Sequence, residues 1–400
     1  TRGRSAGRSI AIAITCSVLV GTGAAAVAPR TARAATPTRP NVVFVLTDDQ
    51  RFDTMEQMPL LAADAAHWLK FSNSFIGQPV CCPSRATFLT GRYSHHTGVE
   101  TLNAASPSGG RALDETRTLP VFLHAAGYRT GFVGKYLNGY PFDRGPYVPP
   151  GWDRWVGKTD SPEKYYDYTL IEDGVPVPFG HTPSEYSTDV LTARATDFVR
   201  TAPAANPLFL EVAYNGPHGN EFGPPLPAPR HIGTCASRNL SLPSTFNALG
   251  TGGLPAWMAT LPPLSATTTT TYARLACEAL QSVDEGVRAI IDALGDTGRL
   301  DNTYLVFTSD NGYSYGEHRL EGKGDIFETS LRVPLWVRGP GVVPGTTERL
   351  TSNVDFTPTV LDWTGATAPA GFLDGASYAP VAAGLADPQP PAGVLLRGTV

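Results

Sequence analysis

Apolar positions along this chain follow two different periods. Five runs are apolar at nearly every position: "NVVFVLTDD" (41–49), "RTGFVGK" (129–135), "PLFLEVAYN" (207–215), "TYLVFTSDN" (303–311) and "VPLWVRGP" (333–340). Such runs read as strands buried on both faces. Between them the apolar spacing becomes helical. "TLPVFLHAAGY" (118–128) and "STDVLTARATDFVR" (187–200, capped by Ser187 or Thr188) predict helices. "YARLACEALQSVDEGVRAIIDAL" (272–294) places Leu275, Leu280, Val283, Val287, Ile290 and Leu294 on one helical face, and Gly295 ends it. "CPSRATFLTG" predicts a short helix with Pro83 in its first turn and Gly91 at its C-terminal cap. Strands alternating with helices predict an α/β fold with a largely parallel sheet covered on both faces. Regularity lapses over 219–271, which contains "GPPLPAPR", "GTGGLPAW" and "TLPPLSATTTTT". A loop region of this length is expected at the rim or lid of a site; the alternative is an insertion without a role. No internal repeat interrupts the pattern.

Composition narrows the class. The chain has 400 residues, 42% apolar and 17% charged, enough to bury a sizeable core. By length it holds two or three domains, or one large α/β domain with an appendage. A net charge of −5 gives no bulk attraction for nucleic acid, so no nucleic-acid partner is expected. Arg2, Arg4 and Arg8 precede an apolar, small-residue stretch (10–28), and Ala32-Arg33-Ala34 offers a cleavage site. Residues 1–34 therefore read as a signal peptide, and the mature protein as secreted or extracytoplasmic without a stable membrane anchor. The alternative is a transmembrane anchor, but Gly21, Thr22 and Gly23 dilute the run. The chain opens at Thr1 and ends in "GVLLRGTV", which looks like the start of a strand. A main domain over 35–390 is expected, with 391–400 beginning a truncated C-terminal subdomain.

Five cysteines are present. Cys16 leaves with the leader. Disulfides persist in an exported protein. Adjacent cysteines such as Cys81 and Cys82 seldom pair, because the ring is strained. Cys235 with Cys277 is the candidate bridge, two free thiols being the alternative.

In open parallel sheets, ligands bind beyond the C-terminal ends of the strands. The predicted ends carry Asp48-Asp49, Lys135, Asn215 leading to His218, and Asp310-Asn311. Alone, each acidic pair is ordinary turn chemistry, Lys135 a surface lysine and His218 a loop histidine. Together the acids and amide supply hard oxygen ligands. These suit Ca²⁺ or Mg²⁺, and Ca²⁺ tolerates irregular geometry better. No zinc motif is present. Arg85, Lys135 and Lys323 add three cations, which fit a tetrahedral oxyanion such as sulfate or phosphate. A helix N-terminus near Pro83 contributes about 0.3–1 kcal/mol. Cys81 and Cys82 stand C-x3-R and C-x2-R from Arg85, not the C-x5-R of a cysteine phosphatase, and a thiolate is a mismatched ligand for a hard cation.

"CCPSRATFLTGR" resembles the C-x-P-S-R-x-x-x-L-T-G signature of the type I, formylglycine-dependent sulfatases. The similarity runs from about Pro40 to the last residue, through "NVVFVLTDDQ", "GYRTGFVGKY", "NGPHGN", "TSDNGYSYGEH", "EGKGDIFE", "LRVPLWVRGPG" and "NVDFTPTVLDWTG". The resemblance implies an alkaline-phosphatase-like three-layer α/β/α domain with a mixed sheet and a smaller C-terminal domain. It implies that a formylglycine-generating enzyme oxidises Cys81 to Cα-formylglycine, Cys82 being the variable position. One hydroxyl of the hydrated aldehyde would attack sulfur, and the second would expel sulfate. Asp48, Asp49, Asp310, Asn311 and modified Cys81 are then the expected ligands of one Ca²⁺ per subunit. Arg85 would steady the hydrate, Lys135 and Lys323 would bind sulfate, and His218 would protonate the leaving oxygen. His95, His96 and His318 are expected nearby or at the rim.

One stretch departs from the family. Many sulfatases carry G-K-W-H after the second strand, where this chain has Gly134-Lys135-Tyr136-Leu137-Asn138. Leu137 cannot take a proton, so either Asn138 holds the hydroxyl by hydrogen bonding or another histidine such as His318 takes the proton. "GKYLN" with "CCPSR" is similar to the N-acetylglucosamine-6-sulfatase branch. The expected function is an exported, calcium-dependent sulfatase acting on an aryl or carbohydrate sulfate monoester, glucosamine 6-sulfate among the candidates. The alternatives are a phosphonate or phosphate ester hydrolase of the same fold, and a non-catalytic carbohydrate-binding relative. The intact set of Cys81, Arg85, Lys135, His218 and Lys323 counts against the last.

Overall fold

The computed structural model describes residues 39–398 apart from 160–163, 222, 239, 241 and 250–253. The expected signal peptide lies outside the described residues. Ten strands form the main sheet: β1 (Asn41–Asp48), β2 (Leu69–Phe71), β3 (Arg129–Lys135), β4 (Arg154–Lys158), β5 (Thr169–Glu172), β6 (Val175–Pro178), β7 (Leu208–Pro217), β8 (Thr303–Ser309), β9 (Leu335–Arg338) and β10 (Gly345–Thr347). Their order is β10-β2-β9-β8-β1-β7-β3-β4-β5-β6. The central five, β8-β1-β7-β3-β4, are parallel. Antiparallel strands flank them on both sides.

Five helices matter for the site: α1 (Cys81–Thr90), α2 (Leu119–Ala125), α3 (Ser187–Thr201), α4 (Ala266–Asp296) and α5 (Phe356–Thr364). Side chains alternate across a strand, so β1 feeds two separate cores. Val42, Phe44 and Leu46 pack with Phe88 and Leu89 of α1, Leu123 of α2 and Phe356 of α5. Val43 and Val45 pack with Leu191 and Phe198 of α3 and with Leu280, Val283 and Ile290 of α4. The sheet is thus covered on both faces, as the apolar runs predicted, in the three-layer α/β/α arrangement the resemblance implied. Each fully buried Val, Leu or Phe contributes roughly 1.5–3 kcal/mol. Among the described residues no helix is long and apolar enough to cross a membrane.

Several boundaries move. Helix α4 starts at Ala266, inside the threonine-rich tract expected to be irregular, because the Ser265 hydroxyl accepts from Thr268 N–H at 3.3 Å. Leu275 is only half-buried at the edge of its apolar face. Neither Ser187 nor Thr188 caps α3, whose N-cap is Tyr186 and which has no side-chain cap bond. The described part of the 393–400 run forms no strand: Arg397 N–H donates to Gly77 O at 2.8 Å without a ladder around it. The described residues of 219–265 are irregular apart from isolated bridges and short 3-10 turns at Pro229–His231 and Ala256–Thr260. Cys235 and Cys277 are bridged, tying that region to α4, and Cys81 and Cys82 are both buried and outside any disulfide.

Candidate active site

Because β8, β1, β7 and β3 run parallel side by side, their C-terminal ends meet at one edge. Asp310, Asp48, His218 and Lys135 follow from those four ends. Helix α1 begins at Cys81 itself, and every residue of that helix is buried. Gly91 closes it in the left-handed region at φ 67°. The Cys81 side chain therefore sits at the mouth of a helix whose positive end faces the acids.

Arg85, one turn on, joins two strands. Its Nε donates to Asp310 Oδ2 at 2.8 Å, its Nη2 to Asp48 Oδ2 at 3.2 Å and its Nη1 to Lys135 O at 2.6 Å. Lys135 Nζ lies 2.7 Å from Asp48 Oδ2. Lys323 Nζ donates to Cys81 Sγ at 2.8 Å and also to Asp49 Oδ1. The Cys81 thiol donates to Asp48 Oδ1 at 3.3 Å. His218 Nε2 lies 3.6 Å from Asp49 Oδ2, and its Nδ1 meets Gly219 O at 2.8 Å. A carbonyl accepts only, so Nδ1 carries the proton and Nε2 faces the acids. All nine residues expected in the site thus come together.

Three cations and three carboxylates are packed here almost without solvent. Burying charges costs several kcal/mol each, and pairing recovers that only with good geometry. Burial alone would raise the Asp48 carboxyl, but Lys135, His218, Lys323 and Arg85 outweigh it and hold Asp48 well below the usual carboxylate range. Asp310 is pushed up to about 6 by burial and by the charge of Asp48. Burial and Asp48 push the Cys81 thiol well above its ordinary range. A thiol held neutral beside an acid is a poor nucleophile, which agrees with the absence of the C-x5-R spacing of a cysteine phosphatase.

The donor set fits a hard cation. Ligand atoms of Asp48, Asp49, Cys81 and His218 lie within 4.8 Å of one another. Asn311 Nδ2 donates to Asp49 Oδ1 at 2.6 Å, while Asn311 Oδ1 is buried with no hydrogen-bond partner. A buried amide oxygen without a donor is costly unless something positive faces it. Asp310 stands outside the tightest group, with one oxygen held by Arg85 and the other 3.4 Å from Asp49 N.

Other expectations resolve differently. Leu137 is fully buried in the apolar core, so its side chain does not face the acids at all. Asn138, next to it, keeps a buried Oδ1 without a partner. His318 packs against Phe327 at 5.4 Å and its Nδ1 lies 3.3 Å from Ala248 O, at the rim. His96 pairs with Asp374 at 2.7 Å and is exposed. Cys82 is a core residue.

Sequence reasoning missed a supporting layer. Thr47 Oγ1 donates to Gln50 Oε1 at 2.8 Å, Gln50 N donates to Ser309 Oγ at 3.0 Å, and Ser309 Oγ donates to Asn311 O at 2.8 Å. This lattice fixes the two acidic strand ends against each other, and Asp49 adopts φ 66° within it. Tyr165 OH donates to His218 O at 2.7 Å and holds that loop. Hydroxyls and amides at strand ends are common, so nothing in the linear pattern marked these.

Comparison with known proteins agrees with the site. A family model described as Sulfatase matches residues 40–366. Human N-acetylglucosamine-6-sulfatase is 35% identical over 364 residues, covering 86% of this chain and 65% of that protein. The extracellular sulfatase SULF-1 homolog of Drosophila melanogaster is 34% identical over 368 residues, covering 88% of this chain and 32% of that protein. The chain therefore spans less than two thirds of the length of either relative. A protein solved in complex with its substrate D-glucosamine-2-N,6-O-disulfate superimposes with a TM-score of 0.71 at 25% identity, covering 86% of this chain and 80% of the other. Since the family model covers most of the chain, and the motif residues it would need converge at one sheet edge, the chain belongs to the sulfatase family.

Proposed function

We propose that this protein is an exported, calcium-dependent sulfatase that hydrolyses a sulfate monoester of an aryl or carbohydrate alcohol, with glucosamine 6-sulfate the foremost candidate. The observation that carries the reading is the placement of Cys81. Its Sγ lies against Lys323 at the mouth of α1, with Lys135 and Arg85 held behind it by Asp48. Cys81 matured to formylglycine would put oxygen where the neutral thiol now stands, supplying both the attacking hydroxyl and the means to release sulfate. Asp48, Asp49, Asp310 and Asn311 would hold Ca²⁺ beside it. When bound, that ion supplies Lewis acidity that lowers the pKa of the attacking hydroxyl.

The chain's own residues do the rest. Lys135 and Lys323 bind sulfate oxygens and neutralise charge that develops as the ester bond breaks. Arg85 bridges Asp48 and Asp310 and so holds both carboxylates in position before reaction. In its imidazolium form, with Nδ1–H committed to Gly219 O, His218 delivers its Nε2 proton to the leaving alcohol oxygen. The Cys235–Cys277 bridge and the leader-like residues 1–34 support export, during which a formylglycine-generating enzyme would act.

Mass spectrometry of the peptide containing Cys81 from active protein tests the maturation; an unmodified thiol at full occupancy overturns it. Comparing kcat/KM on aryl sulfate with aryl phosphate and phosphonate tests the ester class, and a preference for phosphorus substrates defeats the sulfate assignment.

A further inference from the structure

We propose that Tyr272 and Tyr313 form a stacking platform for the sugar ring of the leaving alcohol, making them specificity-determining residues for the reaction. The proposal rests on the sulfate-ester reading above and names the residues that would select a ring over a chain.

The two rings are stacked, with centroids 5.0 Å apart and planes 15° apart. Tyr315 flanks both, at 6.0 Å and 5.3 Å. Each of the three keeps part of its surface exposed. They come from different elements: Tyr272 from the start of α4, Tyr313 from the loop two residues beyond Asn311. That loop is pinned to the site. Arg51 Nη1 donates to Tyr313 O at 3.1 Å and to Glu317 Oε1 at 2.8 Å, and Glu317 Oε2 accepts from Tyr315 N at 2.6 Å. The Arg51 guanidinium also covers the Tyr315 ring at 4.9 Å. Tyr315, held by Arg51 and Glu317, braces the stacked pair of Tyr272 and Tyr313.

Position decides what the platform meets. A Cβ on Gly219 would stand 3.3 Å from the Tyr272 hydroxyl, so the platform adjoins the residue after His218. His218 faces the oxygen that leaves, hence the platform lies on the leaving-group side. A neutral aromatic face attracts the polarised C–H face of a pyranose and gives a linear alkyl chain far less contact.

The test uses Tyr272→Ala, Tyr313→Ala and the matching Phe variants of the whole chain. First, kcat/KM is compared for N-acetylglucosamine 6-sulfate and for a short linear alkyl sulfate. The Ala variants should lose about tenfold more on the sugar ester than on the alkyl ester, mainly through KM. The Phe variants should recover most of that loss. Second, unsulfated N-acetylglucosamine is titrated by saturation-transfer NMR, where the Ala variants should bind about tenfold more weakly than wild type. Equal losses on both esters, or sugar binding that is absent from wild type or unchanged in the Ala variants, would overturn the platform. A wild type that cleaves only phosphorus esters yet binds the sugar through Tyr272 would defeat the sulfate reading and support the platform.

Discussion

Arg85 is the side chain on which the acidic strand ends depend. It touches Asp310, Asp48 and the Lys135 carbonyl at once, and it is buried. Removing one partner of a buried pair leaves the others uncompensated, at a cost of about 3–5 kcal/mol. Arg85→Ala should lower the unfolding free energy by that amount in urea titrations. Arg85→Lys keeps the charge but cannot bridge two carboxylates. It should lose roughly a hundredfold in kcat/KM; wild-type turnover in that variant would refute the bridging role. A second buried group lies on the strand next to β1. Glu211 pairs in register with Phe44 and Phe132, and burial pushes its carboxyl up to about 8, with Arg85 opposing. The ordinary unfolded value is about 4.3. The folded chain therefore holds the extra proton between those values, and its contribution to stability is complete below about pH 4 and lost as pH rises through 8. Melting temperature should fall between pH 5 and 9, and Glu211→Gln should flatten that decline. Parallel profiles for the two proteins would show that Glu211 does not titrate there. The motif residues were legible because their types and spacing are unusual. Glu211 was not, since a single acid inside an apolar run gives no sign of which core it enters.

At the scale of elements, β3 shows how a strand can aim one side chain. Gly134 has φ +127°, and a Cβ there would lie 1.9 Å from Ala213 O on the neighbouring strand. Only glycine lets β3 approach β7 this closely before Lys135 turns into the site. Gly134→Ala should destabilise by about 1–3 kcal/mol. It should also lower activity by more than its stability loss explains, which thermal melts alongside kcat/KM would separate. The Cys235–Cys277 bridge closes 42 residues between the irregular region and α4. Opening it should cost about 2–4 kcal/mol, seen as a lower melting temperature in reductant. Cys235→Ser should already melt at the reduced temperature and respond no further; a further drop would place the effect elsewhere. Threonine is a weak helix former, which is why 267–271 read as irregular. The Ser265 cap and packing of the following turns override that preference. Short edge strands such as Val175–Pro178, half proline, carried no strand signal at all.

At the scale of the whole molecule, the balance of charge predicts a dependence on calcium. The Asp48 and Asp49 carboxylates draw together with Cys81 and His218, and Asp310 and the partnerless amide oxygen of Asn311 lie on the adjacent strand end. Ca²⁺ that binds the folded chain alone should add about 2.7 kcal/mol of stability at a hundredfold excess over Kd. Calorimetric melts after chelation and after Ca²⁺ return would read this, and an unchanged melting temperature would count against the ligand set. Sequence by itself determined the α/β class, the cysteine-bearing helix mouth and every side chain expected at the sheet edge. Those features are local: continuous apolar runs, a proline and a glycine bounding a helix, and acids where strands stop. Tertiary structure decided what each residue faces. It turned Leu137 into the core, set His318 against Phe327 at the rim, joined Cys235 to Cys277, and stacked Tyr272 on Tyr313 across 41 positions of chain. The physical reason is that a residue type states which bonds it can make, whereas the strand order and the packing of helices on two faces choose its partners.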